Sequence, residues 1–84
     1  MEKKLLELGF KPTKGLYYLA KAVEIRMKDN DIRTCEIYYE VADTFNSTKS
    51  RVERCMRHCI RTSNTKYKDM HVGMAINALS IELK

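Results

Sequence analysis

The chain has 84 residues, which is enough for one small domain and too few for a two-domain enzyme. It is 44% hydrophobic and 32% charged, a balance that excludes a disordered chain. No apolar run reaches the length of a membrane span, and the apolar start breaks at Gly9 before a signal-peptide core can form. Three cysteines without a CxxC pair argue against a disulfide-rich secreted module. We therefore predict one cytoplasmic domain, spanning residues 1–84, with reduced thiols.

The net charge of +5 is concentrated in one part of the chain. Residues 46–68 contain seven Lys or Arg and a single acidic residue, whereas the rest contains nine basic and ten acidic residues. A nucleic-acid footprint requires basic residues on one surface rather than a high overall charge. This segment is therefore the place to look for function.

The first half of the chain is predicted to hold two helices. The first covers residues 3–8 and ends at Gly9, and a turn with Pro12 follows over residues 10–15. The second covers about 16–28, with apolar residues at steps of three and four on one face: Leu16, Leu19, Ala20, Val23 and Met27. The alternating β-branched pattern of strands is absent.

A third helix is predicted to begin near Thr34, as its N-cap, with a core face that carries Ile37, Val41 and Phe45 with Ala42 beside them. Residues 46–48 interrupt the pattern. Asn46 tolerates a left-handed backbone, and Ser47 or Thr48 suits the cap of a fourth helix over about 48–62.

A fifth helix is predicted from about Asp69 to Leu83, after a polar segment over residues 63–68. Its expected buried residues are Val72, Ala75, Ile76 and Leu79. The predicted fold is all-α, a compact bundle of about five helices that contains a helix-turn-helix.

The fourth helix is predicted to be sharply two-sided. At about 100° per residue, one half of the helix collects Val52, Cys55, Met56, Cys59 and Ile60 and is expected to face the core. The other half collects Ser50, Arg51, Glu53, Arg54, Arg57, His58 and Arg61. A solvated face usually mixes charges for i,i+4 pairing, whereas here arginines far outnumber the one glutamate. This pattern favours nucleic-acid binding.

The residue types refine this interpretation. An arginine fork binds guanine O6 and N7 bidentately, and a good contact of this kind discriminates by about 1–3 kcal/mol. Glu53 fits either as an acceptor for a cytosine amine or as an intrahelical partner of Arg57, and the sequence does not decide between them. The spacing of Ala42, Asn46, Val52 and Cys55 also fits a helix-turn-helix.

The segment from Phe45 to Ile60 closely resembles the recognition segment of a known family, the C-terminal effector domain of the sporulation initiation response regulator (stage-zero sporulation protein A). The strongest matches are residues 50–54 and the pair Arg57 and His58, and residues 8–9 and 14–19 resemble the opening of that domain. The resemblance implies a transcription factor domain that inserts the fourth helix into the major groove, often as tandem copies.

The resemblance also implies the roles of individual residues. Ser50, Arg51, Glu53 and Arg54 would face base edges. Phosphates or outer bases would be contacted by a second group, which comprises Thr48, Lys49, Arg57, His58 and Arg61. The expected partner is double-stranded DNA, together with a second copy on tandem sites or a full-length relative.

The chain departs from the family pattern after Ile60, where the segment before the last helix is shorter. This shortening motivates an alternative function, in which the chain pairs with a full-length regulator and modulates it without binding DNA itself. With no room for a receiver domain, we expect either an excised effector domain or a standalone relative.

Other functions are disfavoured. A metal site from Cys55, His58, Cys59 and His71 would need ligands from both faces of the fourth helix, and buried thiols make poor nucleophiles. We therefore predict no metal, no cofactor and no enzymatic activity. The fourth helix lacks the bulky anchors of a membrane-surface helix. The tyrosines are expected to pack in the core and its rim rather than to stack on RNA bases: Tyr17, Tyr18, Tyr38, Tyr39 and Tyr67.

Overall fold

The computed structural model describes all 84 residues and contains five helices and no strand. They are α1 (Glu2–Leu8), α2 (Lys14–Lys28), α3 (Thr34–Thr44), α4 (Lys49–Arg61) and α5 (Val72–Glu82). The all-α prediction and the predicted number of helices are confirmed.

Helix α2 lies at the centre of the bundle and packs against the other four helices. Its predicted core face is buried from Leu16 to Val23, and Met27 is partly buried at the edge. The four residues predicted for the core face of α5 are also buried. These side chains belong to one cluster of 21 buried residues, to which α1, α3 and α4 contribute as well.

The end of α1 is fixed to the segment that follows α4. Gly9 closes α1 with a left-handed backbone (φ 118°), and its carbonyl accepts a hydrogen bond from the Asn64 amide at 3.1 Å. A Cβ on residue 9 would lie 2.6 Å from the Asn64 carbonyl oxygen. Glycine is therefore required both by the backbone conformation and by the close approach.

The turn between α3 and α4 has the predicted chemistry. Asn46 has a positive φ of 53°, and the Ser47 amide donates to the Ala42 carbonyl at 2.7 Å, which closes α3. The Thr48 hydroxyl accepts a hydrogen bond from the Arg51 amide at 3.2 Å and caps α4. The short connection that a helix-turn-helix needs is therefore present.

The structure corrects three local predictions in and around α3 and α4. Thr34 is the first residue of α3 rather than its cap; Arg33 holds the cap position and makes no capping hydrogen bond. Phe45 is 41% exposed, because it lies at the cap where the chain leaves the helical path, although its ring still packs edge-to-face on Tyr18. Cys55 is only partly buried, at the rim of the core.

The predicted start of α5 is wrong by three residues. The chain forms turns before the helix, with the Met70 amide donating to the Tyr67 carbonyl at 2.9 Å. His71 then caps α5, since its Nδ1 accepts from the Gly73 amide at 3.2 Å. A histidine cap is less frequent than Ser, Thr, Asp or Asn, which is why the sequence pattern did not mark it.

Candidate nucleic-acid interface

Helix α4 has two faces with different environments. Val52, Met56, Cys59 and Ile60 are buried among α2, α3 and α5. The other side is exposed to solvent, and we call it the α4 cationic face; it consists of Ser50, Arg51, Arg54, Arg57, His58 and Arg61. The predicted division of this helix is thus present in the fold, with Cys55 and Glu53 partly buried at its boundaries.

The position of α4 is set by a close crossing with α2 at Gly15. A Cβ on this residue would collide with the Cys55 carbonyl oxygen and lie 2.8 Å from Cys59 Cβ. The two backbones therefore approach more closely than any larger residue would permit. This contact holds the thiol side of α4 against the bundle and leaves its arginines outside.

Most of the arginines on the α4 cationic face are free of carboxylates. Arg51, Arg54 and Arg61 form no ion pair within the chain. Their guanidinium groups keep their hydrogen-bond donors available to an external acceptor. Such unpaired charges on one surface are the arrangement expected for a polyanion partner.

Glu53 and Arg57 form the one ion pair on this helix. Arg57 Nη1 lies 3.3 Å from Glu53 Oε1, and the glutamate is the more buried partner. Glu53 also acts on Tyr38 of α3: burial raises the pKa of this phenol, and the negative charge of Glu53 raises it further. In the free protein the glutamate therefore has the intrahelical partner that the sequence allowed.

The first residues of α4 have internal contacts as well. The Thr48 hydroxyl is engaged in capping the helix. The Lys49 ammonium lies 5.3 Å from the centroid of the Tyr39 ring, in cation–π geometry. Both residues remain exposed, at the N-terminal end of α4 beside the turn that joins it to α3.

The fold brings a lysine and a histidine beside α4 that lie outside the site predicted from the sequence. A cavity of about 600 Å³ lies between the outer side of α4 and the chain before α5. Arg57 and Arg61 line it together with Lys68 and His71, and two carboxylates, Glu53 and Asp69, are also present. The position of Lys68 within the basic segment was the only sequence signal, because its approach to α4 depends on the turns before α5.

The buried thiol on the inner side of α4 is kept neutral. Burial raises the pKa of Cys59, and the nearby Thr13 hydroxyl opposes this effect only in part. Cys59 therefore behaves as a small core side chain rather than as a nucleophile. No three His, Cys, Asp or Glu side chains cluster as metal ligands would, and no helix has the length and apolar character of a membrane span.

Comparison with known proteins identifies one family. The sequence model described as sporulation initiation factor Spo0A C terminal matches residues 1–80 of the chain. The match includes all five helices except the last residues of α5. No solved structure shows significant similarity to the chain.

Proposed function

Since this chain belongs to the Spo0A C-terminal family, which comprises DNA-binding domains of a sporulation regulator, we propose that it recognises specific sequences in double-stranded DNA by inserting α4 into the major groove. The observation that carries the proposal is the α4 cationic face, which lies outward while the opposite face of the same helix is buried. An α-helix fits the width of the B-DNA major groove. The proposal requires the chain to share a compartment with DNA. The predicted cytoplasmic location meets this requirement.

In this proposal two groups of residues on α4 have different tasks. Arg51 and Arg54 are exposed, unpaired and one helical turn apart, so they are suited to base edges together with Ser50 and Glu53. A second group contacts phosphates or outer bases and thereby fixes the position of the helix on the duplex. It consists of Thr48, Lys49, Arg57, His58 and Arg61.

Glu53 can leave its intrahelical partner at small cost. An intrahelical i,i+4 ion pair contributes about 0.2–0.5 kcal/mol, which is less than a good base contact. A phosphate that draws Arg57 away would release the carboxylate, which then accepts from a cytosine amine. The ion pair of the free protein is therefore compatible with base recognition by Glu53.

A salt-titrated binding assay tests the proposal. Duplexes selected from a random-sequence library are compared with scrambled duplexes of the same composition. We expect Arg54→Ala to lose about 1–3 kcal/mol of discrimination at one base pair. We expect Arg61→Ala to weaken all sequences alike and to reduce by about one the slope of log affinity against log salt concentration.

The matched control for both variants is Arg33→Ala. Arg33 is highly exposed but lies at the start of α3, at the end of that helix remote from the turn into α4. This variant should retain both the base preference and the salt slope of the wild type. Equal binding of the wild type to selected and scrambled duplexes would reject base recognition.

A second candidate function, pairing with another copy or with a full-length relative, is favoured by the outer face of α5. Met74 is 62% exposed and Ile81 is 76% exposed, and the two are seven residues apart, on the same side of the helix. Exposed apolar side chains grouped on one face mark an interaction surface more often than an isolated one does. Here the chain would modulate the regulator without binding DNA itself.

Sedimentation of the chain alone and mixed with an intact regulator of the family tests this second candidate. If pairing is its function, the wild type forms a complex, Ile81→Ser weakens it, and the isolated chain has no affinity for DNA. A wild-type chain that sediments as a monomer in both samples would remove the candidate.

A further inference from the structure

A second cavity, of about 300 Å³, lies where the start of α2 meets the middle of α4. It contains three side chains that carry or can acquire positive charge and no carboxylate. Two of them, Arg54 and His58, belong to α4, whereas the third, Lys14, belongs to α2 and lies outside the site predicted from the sequence. The residues around the cavity are Thr13, Lys14, Gly15, Arg54, Cys55 and His58.

Two backbone amides of the residues around this cavity have no hydrogen-bond partner. The backbone amides of Lys14 and Gly15 donate no hydrogen bond, whereas the next amide, that of Leu16, is bound to the Thr13 carbonyl at 3.0 Å. Thr13 Oγ1 is buried and has no well-aligned hydrogen-bond partner, although it lies close enough to Cys59 to influence the pKa of this thiol.

The chemistry of the cavity therefore fits an oxyanion. The Lys14 ammonium and the His58 imidazole come from two helices, Arg54 adds positive charge at the edge while it contacts a base, and no acidic residue lines the cavity. The other cavity beside α4 differs in this respect, because Glu53 and Asp69 line it together with its basic residues. Of the two, only the cavity at the start of α2 has basic side chains around it and no carboxylate to repel an anion.

The cavity is also held at a fixed position relative to the α4 cationic face. The close crossing at Gly15 joins the first turn of α2 to the backbone of Cys55, the residue that follows Arg54. An anion in the cavity would therefore lie at a constant offset from the residues proposed to contact bases. A phosphate contact of this kind sets the register of a protein on DNA without carrying sequence information.

We propose that this cavity holds a backbone phosphate of the DNA duplex bound by α4, and that Lys14 is a phosphate-contacting residue contributed by α2. The inference rests on the proposed function, because the phosphate belongs to the duplex that α4 enters. It extends the interface beyond α4 to the start of a helix more than thirty residues earlier in the sequence.

The test compares Lys14→Gln with Lys28→Gln in the salt-titrated assay, using both the selected and the scrambled duplexes. Both lysines are exposed and lie on α2, but at opposite ends, about 21 Å apart along the helix. We expect Lys14→Gln to reduce the salt slope by about one for both duplexes, with base preference unchanged. Lys28→Gln should keep the wild-type slope, and Lys14→Arg should restore it.

Three outcomes decide between the possibilities. A wild-type chain that binds no duplex would reject the proposed function and this inference together. Tight duplex binding with the same slope for Lys14→Gln, Lys28→Gln and the wild type would reject this inference alone. A titration with inorganic phosphate separates the sources of the anion, because phosphate binding without any effect of Lys14→Gln on the duplex slope would show a free-phosphate site and overturn the assignment to DNA.

Discussion

Helices α4 and α5 pack against the same central helix, yet their outer sides are opposite in character. The inner faces of both are apolar and buried, and both contribute to the same core cluster. The outer side of α4 carries the arginines, whereas the outer side of α5 carries Met74 and Ile81, and Glu82 is the only charged residue of α5. Since burial constrains only the inner face of each helix, the outer faces can carry different types of residue.

The contrast shows which property of each helix belongs to folding and which to function. A core position tolerates few side chains, because its volume and polarity are fixed by its neighbours. An exposed position has no such constraint, so a concentration of one charge or of apolar groups there indicates a partner. On this basis we propose α4 as the DNA-binding helix, whereas α5 offers a different surface.

The largest expected effect is on the free energy of unfolding, and it is found by comparing two methionines, one on each helix. Met56 of α4 is completely buried, so Met56→Ala should lower the free energy of unfolding by about 2–5 kcal/mol because it leaves a cavity. Met74→Ala on α5 removes the same atoms from an exposed position and should change the stability by less than about 0.5 kcal/mol. Urea denaturation measures both, and similar losses for the two variants would break the contrast between inner and outer faces.

The crossing of α2 and α4 provides the next test. Gly15→Ala introduces a methyl group against the Cys55 carbonyl and should destabilise the protein by about 1–3 kcal/mol through overpacking. Gly73→Ala on α5 is the matched control, since its Cβ would meet no atom closer than Thr34 Cγ2 at 3.3 Å. Thermal unfolding should show a clear loss for the first variant only. A stable Gly15→Ala protein would mean that α4 is not held by this contact.

The cap of α4 should have a smaller effect. Thr48→Ala removes the acceptor of the Arg51 amide and should lower stability by about 1 kcal/mol. Thr48→Ser keeps a hydroxyl at the same position and should retain most of the stability. Chemical denaturation distinguishes the two, and equal losses would indicate that the β-branched methyl group rather than the hydrogen bond matters.

We also expect the stability of the protein to depend on pH through Cys59, which lies on the inner side of α4. Because the pKa of Cys59 is raised in the folded state, ionisation of this thiol favours unfolding. Its contribution to stability is complete below the unfolded-state pKa, near 9.0, and decreases as the pH rises above it. Cys59→Ala should therefore flatten the alkaline part of the stability profile, whereas Cys35→Ala, at an exposed position, should leave it unchanged. The same alkaline slope in both variants would contradict the role of burial.

The sequence predicted the helices whose ends carry strong local signals. Gly9, Asn46 and Thr48 have the conformations and contacts that their residue types favour, so the ends of α1 and α3 and the start of α4 agree with the structure. The start of α5 was wrong, because it depends on turns and a histidine cap that have no strong residue preference. Local conformational preferences decide the ends of α1 and α3 and the start of α4, whereas the start of α5 depends on how the surrounding chain packs.

For the candidate site, periodicity alone separated the two faces of α4, because a helix with one apolar half can bury only that half. The resemblance to a known family added the expected roles of the individual residues, which stay proposals. The sequence left two partners of Glu53 open, and in the free protein the side chain pairs with Arg57.

What the sequence determined by itself is the set of helices and the cationic character of α4, since both follow from residue types at short separations along the chain. Only the tertiary structure brought Lys14 to one side of α4 and Lys68 and His71 to the other. Long-range contacts of this kind depend on how the helices cross, and the crossing at Gly15 results from the shapes of two surfaces rather than from any local preference.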